Sequence, residues 1–339
     1  MKILQKESVS VINQIFIICF AGSIILISFV LIGICIGSSD ISIKSIINII
    51  CNKEELDPLI KTIIIKIRLP RVLFAIEVGA SLSLGGLVFQ ALLRNPLAEP
   101  YILGISGGSA VGAITGIFLG FSRYFGVSIM AFIGSMMTLL LILFISQGKT
   151  TVKKDSLLLS GVMVNAFCSS LIMFFLSLSH DNKLHNILFW LMGDLSMSET
   201  KHVLTVFMFL TPCFIIIFLL THSMNLLLMG KEAALSMGVN VRFVTYVLLI
   251  TTSFMISITV CHSGILGFVG LVMPHLLRLI FGPDHRLLVP ACILGGGTFM
   301  VLCDILARWL PKQGEMPVGV ITAIIGAPLF IFLLRRSAK

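Results

Sequence analysis

This chain predicts an all-α, polytopic membrane protein, and three observations carry the prediction. Of 339 residues, 57% are hydrophobic and only 12% charged, where soluble domains run near a quarter charged; the mean hydropathy is +1.09. Apolar runs of about 20 residues, the length a helix needs to cross a hydrocarbon core, recur along the whole chain. Glycines stand at 104, 108, 112, 116 and 120. At about 3.6 residues per turn, that four-residue spacing keeps them on one slowly drifting helix stripe. In lipid such a stripe lets two helix backbones approach and pack.

Ten spans follow, at about 11–37, 68–93, 100–120, 126–147, 156–180, 202–222, 241–262, 266–282, 287–310 and 317–335. The first comes after Lys2 and Lys6 and reads as an uncleaved helix. Its apolar run is too long for a signal-peptide core, and no small-residue cleavage site follows. The second and third flank a polar turn, Arg94-Asn95-Pro96-Leu97-Ala98-Glu99-Pro100, and the third carries the glycine stripe. The fourth leads to Gly148-Lys149-Thr150, which imitates the end of a phosphate-binding loop; the required first glycine is Leu143, and a membrane helix stands where a strand is needed. In the fifth, Asn165 and Ser169 lie four residues apart on one face, beside Ser170. The sixth and seventh enclose the loop at about 223–240. The eighth is short and contains Pro274, so a broken or tilted segment is expected. In the ninth, Asp304 and Arg308 have the spacing of a local ion pair. The tenth carries Thr322. The whole of 1–339 reads as a single transmembrane domain.

Charge constrains orientation and partners. With the amino terminus inside and ten spans, both termini face the cytoplasm, and the inner loops hold 13 of the 24 Lys and Arg residues, a modest positive-inside bias. Lys44, Lys53, Lys61, Lys66, Arg68 and Arg71 fall at the outer face, which points to an acidic partner or ligand there. The net charge of +9 is spread over both sides of a membrane, which argues against nucleic-acid binding.

No catalytic constellation is visible, and there is no His-Glu-x-x-His motif. Seven of the eight cysteines lie within or beside apolar segments without a Cys-x-x-Cys pair, and no two of the seven histidines are spaced for a helical metal site. No metal site and no cofactor are expected, and His180, Asp181 and His185 read as a solvated loop. Uphill transport would draw on an ion gradient or on ATP hydrolysed by another subunit. A gradient-driven carrier needs ionisable residues in its membrane spans. The candidate is Glu77, about three turns into the second span, which otherwise makes a satisfied interhelical contact. A subunit-driven transporter needs a docking element instead. The 224–240 stretch offers one: small and apolar residues at helical spacing around Glu232, between Gly230 and Gly238.

Five ordered segments resemble the permease subunits of ABC importers for iron-siderophores, haem and cobalamin, the FecCD-type family. They are Arg68-Leu69-Pro70-Arg71; Asn95 to Pro100 with Leu103 to Gly108; Gly267 to His275 with Asp284-His285-Arg286; Asp304 to Arg308; and Glu315 to Val320 leading to Gly326-Ala327-Pro328. The resemblance implies a type II ABC importer permease in the inner (cytoplasmic) membrane, with ten helices per subunit. It implies a second permease copy, two cytoplasmic ATPase subunits that use the ATP, and an external substrate-binding protein. Residue by residue, it implies that Arg68, Arg71 and Arg308 dock the binding protein. It also implies that Gly230, Glu232, Ala233 and Gly238 belong to the ATPase-coupling helix, and that spans five and ten line the path, with Asn165, Ser169 and Thr322 as candidates. A ferric siderophore is the expected cargo, with haem and cobalamin as alternatives. Leu235 and Lys231 depart from the family pattern, which puts the usual salt bridges of the coupling helix in doubt. Finally, Gly86-Leu87-Val88-x-x-x-Leu92-Leu93-Arg94 is echoed by Gly270-Leu271-Val272-x-x-x-Leu276-Leu277-Arg278.

Overall fold

The computed structural model describes residues 2–37, 58–122, 125–146, 154–196, 198–311 and 314–337. Lys44, Cys51, Lys53 and the Gly148-Lys149-Thr150 stretch lie outside the described residues. Among those described there is no strand. Helix α1 is Lys2–Cys35. Helix α2, Pro58–Thr62, runs through a π-helical stretch, Ile63–Arg68, into α3, Leu69–Leu93. Then come α4, Ile105–Phe118; α5, Gly126–Ser146; α6, Lys154–Ser177; α7, Asp181–Leu191; and α8, Thr200–Leu219. After α9, Thr221–Met229, and α10, Lys231–Ser236, the chain forms α11, Val241–Ser263; α12, Val269–Phe281; α13, His285–Trp309; and α14, Val318–Ser337.

Seven of these segments are long and apolar enough to cross a membrane, and α4, α12 and α14 are shorter apolar helices. Together they coincide with the ten spans read from sequence. One expected loop is a helix: α7 buries Ile187 and Trp190 while His185 stays exposed, an amphipathic pattern too short to stand out in the sequence.

Helix α3 is the axis of the fold, with residues buried on every side along most of its length. Backbone contact sets its neighbours. A Cβ at Gly79 would fall on the carbonyl oxygen of Gly296 in α13, and one at Gly86 on that of Gly270 in α12. The two echoed segments therefore pack directly on each other. Gln90 reinforces the pairing by accepting from Arg278 Nη2 at 3.0 Å. The glycine stripe serves the α4–α5 contact: a Cβ at Gly108 would strike Thr138 and Gly134, and one at Gly112 would strike Met130. Gly120 lies past the end of α4 with nothing within 4 Å, so four of the five stripe glycines face the partner helix.

At 1.5 Å per residue, α4 and α12 are each only about 20 Å long, short of a hydrocarbon core of about 30 Å. Segment 94–104, irregular but for a 3-10 turn at Pro100–Leu103, and the non-helical segment 264–268 precede them, and such backbone is tolerated at membrane depth only when the protein satisfies it. These two segments satisfy each other. The Tyr101 hydroxyl donates to Leu266 O at 2.9 Å and accepts from Leu266 N–H at 3.1 Å. Phe268 N–H donates to Glu99 Oε1 at 3.0 Å. The break in the eighth span thus falls at 264–268, and Pro274 sits inside α12 without ending it.

Candidate functional site

Helix α1 ends with carbonyls that no further turn can satisfy. Two arginines from distant helices take them. Arg68 Nη1 donates to Ile34 O and Cys35 O, both at 2.7 Å; Arg308 Nη1 donates to Gly33 O at 3.0 Å and Ile36 O at 2.8 Å. Cations at a helix carboxyl end are stabilising, by up to about 2 kcal/mol when partly buried. Asp304 balances the cluster. Its Oδ1 accepts from Arg71 Nε at 2.8 Å, and its Oδ2 lies 2.9 Å from Arg308 Nη2. Arg71 also reaches Glu315 at 2.5 Å. The geometry confirms the Asp304–Arg308 pair and extends it to four ionic residues from two helices and the loop before α14, with Arg68 joining through the end of α1.

The exposure of these arginines differs from a free basic platform. Arg68, Arg71 and Arg308 are 4%, 5% and 8% exposed, and Asp304 is 0% exposed. The reason is physical: a guanidinium has five donors in a fixed fork, and here the acceptors are the end of α1 and the two carboxylates. Lys61 and Lys66, by contrast, are exposed on the adjoining turns.

The candidate path residues separate. Asn165 and Ser169 are both exposed on α6, with Ser169 Oγ donating to Asn165 O at 2.9 Å. The face they share also exposes Met173, while Val162 and Phe167 are exposed on neighbouring positions of the same helix; among the described residues this surface has no cover. Thr322 does not join them: it is fully buried and donates to Gly319 O at 3.0 Å. On α14 the exposed side chains include Ile324, Ile331 and Phe332. A lone threonine in an apolar helix satisfies its hydroxyl on a nearby carbonyl. Glu77 is buried, and among the described residues its Oε2 has no hydrogen-bond partner.

At the opposite end, α9 and α10 form a helix–break–helix. Gly230 has φ 127° and ψ 155°, with nothing within 4 Å of a would-be Cβ. The glycine is therefore required by the backbone and not by space. Gly238 likewise has φ 82°. Ala234 packs inward, Ala233 is half-buried, and Glu232 projects into solvent flanked by exposed Met229, Leu235 and Met237. Asn240 then caps α11, accepting from Phe243 N–H at 3.0 Å.

The sequence assigned no role to Asn225, which joins this element to α13. Its Nδ2 donates to Asp284 Oδ1 at 2.7 Å, and its Oδ1 accepts from His285 N–H at 2.9 Å. Asp284 also takes both Nε and Nη2 of Arg286. Burial pushes the Asp284 carboxyl up, but hydrogen bonds from Arg286 and Asn225 outweigh it and hold the group below its ordinary value. Among the described residues no group of three or more His, Cys, Asp or Glu could hold a metal ion.

The profile of the FecCD transport family matches residues 24–336. The chain is 36% identical over 321 residues to the uncharacterized ABC transporter permease protein YvrB of Bacillus subtilis, with 91% of each chain covered. It is 38% identical over 277 residues to the vitamin B12 import system permease protein BtuC of Salmonella newport, covering 81% of this chain and 84% of that one. Among solved structures it is similar to an ABC transporter assigned to the metal-chelate type in an inward-facing conformation. That match has TM-score 0.85 and 33% identity, over 94% of this chain and 99% of the other. PsaBC of Streptococcus pneumoniae shares the fold, with TM-score 0.56 at 16% identity over 85% of this chain and 95% of that one.

Proposed function

The chain belongs to the FecCD transport family, and on that premise we propose that it is the permease subunit of an ATP-driven importer of a metal chelate. The observation that carries the reading is the exposed α9–α10 element, in which Glu232 and a set of apolar side chains project without cover. That is the surface a groove on a cytoplasmic ATPase would accept. The 33% identity and near-complete overlap with a transporter of the metal-chelate type support the cargo class. A ferric siderophore is proposed first, with haem and cobalamin as the alternatives; the likeness to a vitamin B12 permease favours the last of these.

In this reading two copies meet across the uncovered α6 face, with Asn165 and Ser169 wetting the path between them. Two ATPase subunits bind at α9–α10, both termini lie in the cytoplasm, and a binding protein delivers substrate at the outer end. The roles proposed for Arg68, Arg71 and Arg308 follow from their internal bonds. Acidic side chains of a docking protein would exchange with the α1 carbonyls and the rim carboxylate Glu315, so that docking loosens the end of α1.

The test is to purify the tagged chain from its native membrane, identify what accompanies it and assay ATP hydrolysis. A P-loop protein in about equimolar amount, with substrate-stimulated hydrolysis abolished by Glu232→Arg, is the expected result. Solute flux from the chain alone, unaffected by that substitution, would overturn the reading and make Glu77 the residue to study.

A further inference from the structure

At the end of the molecule that carries α9 and α10, a cavity of about 170 Å³ opens between α3, α6, the α9–α10 element and α11. Its wall is apolar, with Leu92, Leu157 and Leu249 among its lining residues. Its remaining boundary includes Arg94, Lys231 and Arg242, and among the described residues no Asp or Glu lines it. Arg94 and Arg242 are exposed, so the cations sit at the mouth and the leucines behind them.

Two further observations concern these cations. Arg94 takes the left-handed position at the carboxyl end of α3, with φ 51°. Its N–H reaches Ala91 O at 3.3 Å, and Asn95 N–H reaches Gln90 O at 3.1 Å. Glycine is the unstrained choice at that position of such a motif; an arginine there accepts strain and keeps a charge beside the cavity. The Arg242 guanidinium lies 5.9 Å from the Tyr246 ring centroid, a cation–π arrangement that holds it next to the same opening. Cations at the mouth, hydrocarbon behind and a position at the ends of membrane helices describe a site for an amphipathic anion.

We propose that this cavity binds an anionic phospholipid. The headgroup phosphate sits between Arg94 and Arg242, and the first methylenes of an acyl chain lie against Leu92, Leu157 and Leu249. Basic pockets between helices at a membrane surface recognise such headgroups through charge, and each cation near the headgroup contributes about a fivefold gain in affinity. Free phosphate has the same anionic chemistry but makes no use of the apolar wall. An acidic side chain from a cytoplasmic subunit would use only the rim.

The test is native mass spectrometry of the full-length chain exchanged from detergent into phosphatidylglycerol or phosphatidylcholine. Phosphatidylglycerol should be retained up to about twenty-fivefold over phosphatidylcholine, two cations at about fivefold each setting the scale. Retention should fall about twenty-fivefold in the Arg94→Gln, Arg242→Gln variant, by the same arithmetic. Leu249→Trp keeps the rim and fills the wall; it should expel the lipid too, and it serves alone if the double variant does not fold. Equal retention of the two lipids, or retention indifferent to these substitutions, overturns the proposal. Competition by millimolar inorganic phosphate combined with no effect of Leu249→Trp assigns the rim to free phosphate and also overturns it. Loss of bound lipid when an ATPase subunit is added assigns the rim to that subunit and has the same consequence.

Discussion

Replacing Asp304 by Asn tests the charge balance of the Arg71–Asp304–Arg308 cluster. The carboxylate is fully buried and stands 2.8 Å from Arg71 Nε and 2.9 Å from Arg308 Nη2. Breaking a buried ion pair by removing one partner costs about 3–5 kcal/mol, because the surviving charge stays desolvated. Arg71 keeps Glu315 and Arg308 keeps two carbonyls of α1, which places the loss near the lower figure, about 3 kcal/mol. At about 2 °C per kcal/mol for a chain of this size, the thermal midpoint should drop by about 6 °C. Cys261, Cys292 and Cys303 are buried free thiols, so a thiol-reactive fluorophore reports unfolding in detergent. The second half of the test is Asp304→Asn combined with Arg308→Met, which removes the stranded charge together with its partner. Its loss should be smaller than the sum of the two single losses by about 1 kcal/mol or more. A midpoint within 1–2 °C of the parent for Asp304→Asn, about a quarter of the shift expected, would refute the reasoning, as would strict additivity of the pair.

Two further outcomes follow from the geometry. Gly86→Ala should prevent accumulation of folded protein, because its Cβ falls on the backbone oxygen of Gly270; Gly85→Ala should be milder, since its Cβ meets side-chain atoms alone, Cδ1 of Ile256 at 2.9 Å and Cγ1 at 3.1 Å. Comparing the monodisperse yield of the two variants checks this. Asp284 has a depressed folded-state value, so its contribution is complete at neutral pH and is lost as pH falls through that value, below 3.8. Asp284 caps α13, its Oδ1 accepting from Arg286 N–H at 2.9 Å, so Asp284→Ala should lower the midpoint at pH 7 by about 2 °C, a cap being worth about 1 kcal/mol. The gap from the parent should close in acid, and a gap that stays constant with pH would contradict the assignment.

The positions of the ten spans were legible because lipid demands long apolar runs, and a close helix contact along α4 because only small residues at helical spacing allow it; that its partner is α5 was not. What was illegible is long-range. Nothing local says that Arg68 and Arg308 cap α1 across 33 and 275 residues of sequence; a basic residue near a span end reads the same whether it faces a partner or a helix terminus. The sequence signal that was available was the excess of arginine over lysine at just those positions, since a fixed fork suits buried carbonyls better than a hydrated ammonium does. Glu99 and Tyr101 were passed over for a similar reason. Their value lies in satisfying backbone groups at 266–268, and a local reading sees only a turn. Thr322, a path candidate by resemblance, is buried within the subunit and bonds a carbonyl of its own helix, which a local reading does not foresee.

The arrangement of α13 links the two ends of the molecule. At its start, Asp284 and His285 bond to Asn225, one turn and a half before the Gly230 break. At its far end, Asp304 and Arg308 hold α3 and the end of α1. Between them, Gly296 lies on the backbone of α3 with no side chain to yield. A displacement of α9 therefore meets a helix that is hydrogen-bonded at one end, in backbone contact at its middle and ion-paired at the other. Such an element moves as a rigid lever or it breaks one of those contacts, because packed interfaces of this kind are bistable and not continuously deformable. The least costly contacts to exchange are the partly exposed ones around Asn225 and Glu315. The buried Arg71–Asp304–Arg308 centre is the part with most to lose, so motion of α13 should carry that centre intact and be absorbed at the two rims.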